Sequence, residues 1–431
     1  MITIYSNSAS RTMRSSLGYH TFTIFLRLTD AEAISLYEDF RKNKDIRVRP
    51  LKKDGKEPTG YPKVYIAEYT SKYKGITWYV RFNDEMSKFM GMSSNHLSSY
   101  YLQEPRPYSV RAKINPKVLA GIKDYLTAAN EDCLDDAEAQ FNIEAAKISP
   151  VLGKFQHYSI NRIDYCLNFD SVELRMGCSA KQMMTLIKQG NIPRYFKEEK
   201  IYSKKSHRKE SYKNDFRIKN DSVTVSCYRK YAQLLANFPT CPDLEVSNNL
   251  MRFEVKYNYT KVNYISRIIK GEMRKKLTPD ELWDDFLHDT VNPVKEMLTN
   301  NVCRNVISKY FHKVVRKGDY FTLKGARWMI QAHNFRQDKE DRLLQALKLV
   351  NDSRGIAKAK AKLSGDDLKD FKRSLKDLDD IFVNPVTIPR RWDVGHISNP
   401  LRAYYDCFYE ERVVSKKEYL FGRLLAEYSA G

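Results

Sequence analysis

The stretch RIDYCLNF (residues 162–169) decides the fold: Ile163, Tyr165, Leu167 and Phe169 alternate with Arg162, Asp164, Cys166 and Asn168. A period of two puts the apolar set on one side of a strand and the polar set on the other, so one face must meet a core. Two further stretches obey the same rule. In SVTVSCY (222–228), Val223, Val225 and Cys227 alternate with Ser222, Thr224, Ser226 and Tyr228; in MRFEVKY (251–257), Met251, Phe253, Val255 and Tyr257 alternate with Arg252, Glu254 and Lys256. If the three strands share a sheet whose apolar face meets helices, Asp164, Tyr228 and Glu254 emerge together on the other face.

Alternation recurs upstream, with Phe22, Ile24, Leu26 and Leu28 on one parity and Ile76, Trp78, Val80 and Phe82 on another. Helix starts lie between these runs. Thr29-x-x-Glu32 is a capping box opening a helix to about Arg41, Asn115-Pro116 caps another expected to reach about Ala128, and a third covers roughly 132–147. Strands and helices in this order, with no glycine-rich strand-to-helix turn, predict an α+β fold with an antiparallel sheet rather than a doubly wound one. From Thr278-Pro279-Asp280-Glu281 onward apolar positions recur at spacings of three and four. Residues 1–265 are therefore expected to form the sheet domain and 266–431 a mainly helical one. The charged stretch 355–376 reads as a solvated helical pair or a mobile linker.

Composition limits the partners. The 431 residues are 42% hydrophobic and 12% aromatic, which excludes a disordered polymer or a rod. Lys and Arg number 74 against 53 acids, and a net charge of +21 points to a polyanion, with nucleic acid ahead of an anionic membrane. Seven scattered Cys form no C-x-x-C pair, so neither a disulfide framework nor a zinc ribbon is readable, and free thiols in a reducing cytoplasm are expected. No export signal and no run of 18 apolar residues is present, so no membrane span is expected.

Alternation by itself is satisfied by a solvated sheet face on which Arg162–Asp164 and Arg252–Glu254 are ion pairs. A basic loop points instead to a site. Residues 194–220 hold ten Lys or Arg against four acids, interleaved with Tyr195, Phe196, Tyr202, Tyr212 and Phe216, and they lead directly into the Tyr228 strand. Such a loop suits phosphates and unpaired bases. Further on, 303–330 combines Arg304, Lys309, Lys313, Arg316, Lys317, Lys324 and Arg327 with Tyr310, Phe311 and Trp328. That segment reads either as a basic helix pair for duplex DNA or as packed aromatics with solvated basic faces.

Three segments, INRIDY (160–165), VSCYRK (225–230) and LMRFEVK (250–256), resemble the motifs of replication initiators of the filamentous-phage gene II type, in the same order and at comparable separations. They are also similar to those of staphylococcal-type rolling-circle plasmid initiators. SVRAKINPKVL (109–119) resembles the strand and helix start before the first motif, and RNVISKYF (304–311) carries a weaker likeness. The resemblance implies a nicking-closing endonuclease that starts rolling-circle DNA replication through a covalent phosphotyrosine. On this likeness the nucleophile falls on Tyr228 with Lys230 beside it, and the two acids fall on Asp164 and Glu254.

The chemistry accounts for these residue types. A phenol with a reference pKa near 10 is only about one part in a thousand ionised at neutral pH, a handicap of roughly 4 kcal/mol. Mg²⁺ or Mn²⁺ held by Asp164 and Glu254 is expected to polarise the scissile phosphate, while Lys230, Arg252 or Arg229 favours the phenolate. Lys204, Lys205, Arg208 and Lys209 are expected to hold single-stranded DNA, and Arg316, Lys317 and Arg327 duplex origin DNA. Many rolling-circle enzymes hold their metal with a His-hydrophobic-His pair, but none of the eight His here lies two positions from another. His157 therefore reads as a strand-edge or core residue and the third ligand is unassigned. Tyr231 is a second candidate nucleophile. No G-x-x-x-x-G-K-[ST] motif occurs, so strand separation falls to a host helicase or supercoiling and extension to a host polymerase. The alternative is a non-catalytic origin or promoter binder.

Overall fold

The alternating runs become the centre of one wide sheet in the computed structural model, which describes residues 17–50, 64–69, 74–81, 108–122, 126–170, 172–199, 215–288, 290–403 and 416–430. Its strands are β1 (Leu17–Leu28), β2 (Ile46–Pro50), β3 (Val64–Tyr69), β4 (Ile76–Arg81), β5 (Tyr108–Ile114), β6 (Ser159–Phe169), β7 (Lys197–Glu198), β8 (Asp215–Lys219), β9 (Val223–Arg229) and β10 (Met251–Tyr257). They lie in the order β2-β3-β4-β5-β1-β6-β10-β9-β8-β7, every neighbouring pair antiparallel. The fold class is α+β, with the strands of this sheet all in the first 257 residues and a small two-stranded sheet, Tyr320–Phe321 with His396–Ile397, in the helical part.

The main helices are α1 (Asp30–Lys42), α2 (Leu134–Ile148), α3 (Lys230–Asn237), α4 (Tyr259–Arg274), α5 (Asn300–Val314), α6 (Leu323–Gln331), α7 (Gln337–Ser353) and α8 (Gly365–Asp380). The capping box before α1 forms as expected: Glu32 N donates to Thr29 Oγ1 at 3.2 Å, and Thr29 N donates to Glu32 Oε2 at 2.8 Å. The Asn115-Pro116 helix is much shorter than its sequence suggests, running only from Pro116 to Leu119. Gly121, at φ +80°, turns the chain out of the helix. The charged stretch near 355–376 is helical, split between Ile356–Lys360 and α8, and α8 buries Phe371 and Leu375.

One face of the sheet is apolar, and two pairs of helices together with the helix Ala180–Ile187, which packs on β8 and β9, cover it. Phe40 of α1 and Phe141 of α2 pack on Trp78, with ring centroids 6.1 and 5.6 Å apart. Helices α4 and α5 cover the other half. Phe311 of α5 sits 5.1 Å from Phe253 and 5.9 Å from Phe169, and Tyr165 Oη donates to the Met297 carbonyl at 2.9 Å. The sequence-based boundary near 265 therefore falls between the sheet and part of its own cover. The first 265 residues supply α1, α2 and the helix Ala180–Ile187, but not α5, which packs on β1, β6 and β10, and the main buried cluster runs from Leu17 to Leu401. A smaller cluster joins α6, α7 and α8 to the C-terminal helix Lys416–Ala430 through Phe321, Leu343, Leu378 and Phe421. Among the described residues no helix is long and apolar enough to cross a membrane.

Phe311→Ala is expected to cost about 3–5 kcal/mol in urea denaturation, because Phe311 is fully buried between two strands. A chain ending near residue 265 is expected to bind the dye ANS and to lack a cooperative melt. A cooperatively melting fragment would show that α5 is dispensable as cover.

Candidate functional site

The register of three adjacent strands brings the polar residues together. Arg252 stands opposite Tyr228 on one side and Asn168 on the other; Glu254 stands opposite Ser226 and Cys166, and Lys256 opposite Thr224 and Asp164. All of them alternate with residues packed under α4, α5 and the helix Ala180–Ile187, so they share the opposite face. There Tyr228 Oη donates to Glu254 Oε2 at 3.4 Å.

Asp164 is 2% exposed and well satisfied. Thr21 Oγ1 donates to its Oδ2 at 2.7 Å, Arg162 Nε donates to its Oδ1 at 2.9 Å, and Arg162 Nη2 closes a second bond. The Arg162–Asp164 ion pair thus exists, whereas Arg252 turns away from an ion pair with Glu254. Its Nε donates to Asn168 Oδ1 at 2.7 Å, and Nη2 reaches the Thr127 carbonyl at 3.5 Å. Nη1 is buried and makes no hydrogen bond among the described residues. A buried guanidinium donor without an acceptor is costly unless something supplies one.

Crowding sets the electrostatics. Burial, and then the negative charge of Asp164, raise the Glu254 carboxyl above its ordinary value. Burial and the Glu254 charge push the Tyr228 phenol up, with Arg252 opposing them. The phenol therefore stays protonated until something neutralises its surroundings. Lys230 follows β9 and begins α3, with Nζ bonded to Gln233 Oε1 at 2.8 Å. Burial, and next the charge of Arg252, push its ammonium down to about 7.

The sequence offered no reason to single out His20, yet it belongs to this site. Its Nδ1 lies 3.7 Å from Glu254 Oε2. Burial, followed by the positive charges of Arg252, Lys230, Lys113 and Lys117, holds the imidazole well below its ordinary pKa and so neutral. A register shift between Tyr19 and Thr21 on β1 places His20 as an extra residue in the pairing with β6, and a period-two reading cannot follow such a bulge. Gly18 fixes the rim beside it. A Cβ at Gly18 would lie 1.7 Å from the Ala129 carbonyl oxygen, and Ala129 bridges Tyr19 through bonds of 2.8 and 3.1 Å. The neighbouring carbonyls of Leu126 and Thr127 then accept from Asn168 and Lys117.

Several expected residues stand elsewhere. Lys204, Lys205, Arg208 and Lys209 lie outside the described residues. Arg229 is buried, and its Nη2 donates to Asn248 Oδ1 at 3.2 Å. Arg316 pairs with Asp379 at 2.6 Å and donates to the Leu375 carbonyl, so its guanidinium is engaged by the fold. Lys317 and Arg327 are exposed, but Tyr310 and Phe311 of the same segment are buried. Packing, rather than base stacking, accounts for those two aromatics. His157 is exposed and caps a turn before β6, its Nδ1 accepting from Lys154 N at 3.4 Å. Tyr231 falls in the first turn of α3 rather than in the strand. Among the described residues no three His, Cys, Asp or Glu side chains form a metal-holding group.

No protein-family model matches the chain, and no curated protein matches it.

Lys230→Met is expected to stabilise the fold by roughly 0.5–2 kcal/mol, because it removes a cation that burial disfavours. A lysine whose folded value lies near 7 holds fewer protons folded than unfolded, where 10.5 is ordinary. Its penalty is complete below pH 7 and fades as the pH rises toward 10.5. The gain from the substitution should therefore be larger at about pH 6 than at about pH 9 in paired urea melts. An equal gain at both would place the Lys230 ammonium in water.

Proposed function

We propose that this protein starts rolling-circle DNA replication by nicking and rejoining one strand of origin DNA. The observation that carries the reading is a phenol, Tyr228, hydrogen-bonded to Glu254 and beside the Arg252 guanidinium, on the face of an antiparallel sheet opposite its helix layer. The motif resemblance supports the same assignment. Tyr228 Oη attacks phosphorus, the bond from phosphorus to the 3′ oxygen breaks, and the products are a 5′-phosphotyrosyl link and a free 3′-hydroxyl. Because the phosphodiester is exchanged rather than hydrolysed, the reverse reaction closes the strand without ATP.

The chain's own residues divide this work. Glu254 Oε2 orients the phenol and stands where its proton leaves. Arg252 Nη1 lacks an acceptor, which a phosphate oxygen would supply, and Lys230 adds a second cation as charge builds on that oxygen. Glu254, and Asp164 if it were released from Arg162 and Thr21, are hard oxygen donors whose mutual repulsion a cation would relieve, so Mg²⁺ or Mn²⁺ would be held there by these two residues. Such an ion, when bound, would polarise the scissile phosphate. The partners of this reading are single-stranded and supercoiled origin DNA, a host helicase and a host polymerase that extends the 3′-hydroxyl.

The test is incubation of the full chain with supercoiled DNA carrying its own origin and Mg²⁺, followed by mapping of any protein–DNA adduct. Tyr228→Phe should fold, bind the DNA and give no adduct; an adduct that persists would move the nucleophile to Tyr231 or elsewhere. Asp164→Asn and Glu254→Gln should abolish nicking while leaving salt-sensitive binding, with partial rescue by Mn²⁺. Undiminished cleavage in both would refute the metal assignment. Binding without any adduct in the unsubstituted protein would favour the non-catalytic origin binder.

A further inference from the structure

The polar face does not stop at the tyrosine. From β6 the register continues across β1, β5, β4 and β3 to β2, and one row runs Arg162, Thr23, Lys113, Thr77, Glu68, Arg47. The next row along the strands runs Phe25, Arg111, Tyr79, Ile66, Arg49. These residues lie opposite the α1–α2 layer, because Trp78, between Thr77 and Tyr79, is the residue packed on Phe40 and Phe141. The two rows thus share the face that holds Tyr228, Asp164 and Glu254.

Charge and shape say what such a surface takes. Arg47, Arg49, Arg111 and Lys113 face one acid in these rows, Glu68, which pairs with Arg49 at 3.0 Å. Arg47 and Arg49 are exposed, and Phe25 and Tyr79 are half-buried, each standing beside a cation in its row. Arg27 also lies over the Phe25 ring at 5.7 Å. Cations set two or three strands apart, with the Phe25 and Tyr79 rings flanking Arg111, suit the phosphates and bases of an unpaired polynucleotide. At about 4.8 Å per strand, the longer row reaches roughly 24 Å from β6 to β2. At its near end the first row reaches Arg162, the residue that clasps Asp164.

We propose that the β1–β5 half of this face is a track for single-stranded nucleic acid, holding the strand that continues past the cleavage site. The inference rests on the nucleic-acid reading of the site and not on the chemistry at Tyr228. Strand holding, expected of the 194–220 loop, is thus shared with residues of β1 to β5.

The experiment compares two labelled oligonucleotides bound to the full chain: a short one covering the cleavage site, and the same one carrying a homopolymer tail on either side. The variants are Arg47→Gln/Arg49→Gln/Arg111→Gln and, as a check on folding, the corresponding triple change to Lys. The tail should raise affinity for the unsubstituted protein. The Gln variant should lose that gain, on the order of tenfold to a hundredfold at moderate salt, and its salt slope should fall by about 2. The Lys variant should keep most of it. Binding of the short oligonucleotide, and adduct formation on it, should be equal in all three proteins. A tail that adds nothing, an equal loss on both oligonucleotides, or a duplex tail that binds as well as the single strand would overturn the track. Tail-dependent binding with no adduct in any protein would refute the nicking reading and leave the track standing.

Discussion

Register between β6, β10 and β9 is the constraint on which the site depends. A slip of one residue would exchange Asp164, Glu254 and Tyr228 for Tyr165, Val255 and Cys227, putting charge under the helices and apolar surface in water. The helices enforce the register from the other side. Tyr165, Phe253 and Tyr257 fill the layer beneath α4 and α5, so the same packing that stabilises the sheet aims its polar residues outward. The site needs no separate scaffold.

That arrangement stores electrostatic tension. Arg252, Lys230, Lys113 and Lys117 bear on one neutral imidazole, while two carboxylates repel each other nearby. Such a cluster is disfavoured by itself and would be relieved by an anion laid over the cations or a cation set between the acids. The large core beneath it offsets the cost. Burial and the Glu254 charge hold the Tyr228 phenol protonated in this arrangement, so on the proposed reading its activation would be coupled to binding.

Much of the fold was legible because period-two alternation survives wherever strands are regular. The α+β class and the common face of Asp164, Tyr228 and Glu254 follow from it directly. His20 was not legible, since the extra residue on β1 breaks the period at the position where it matters. Helix α5 reads as part of a helical region, and only the width of the sheet shows that it must serve as cover. Local signals also ran short at Asn115-Pro116, where the cap is real but the chain leaves the helix within a turn. The aromatic residues of 303–330 carry no mark in sequence to tell a core-facing ring from a base-stacking one. The cation rows on β2 to β5 escaped notice because their members are far apart in sequence and adjacent only through pairing.

Gly18 joins both sides of the sheet at one backbone position. Its carbonyl accepts from Cys303 Sγ of α5 at 2.8 Å, while the space where a side chain would stand is taken by the Ala129 carbonyl. The inner cover and the outer rim are therefore spliced through a single peptide. Displacement of α5 is transmitted to the segment that holds the Thr127 carbonyl against Arg252, and a ligand that shifts that segment pulls in turn on the helix beneath. Even a methyl group at position 18 would clash with the Ala129 carbonyl and force this splice apart, so the smallest residue in the strand is what lets the two layers meet at one backbone position.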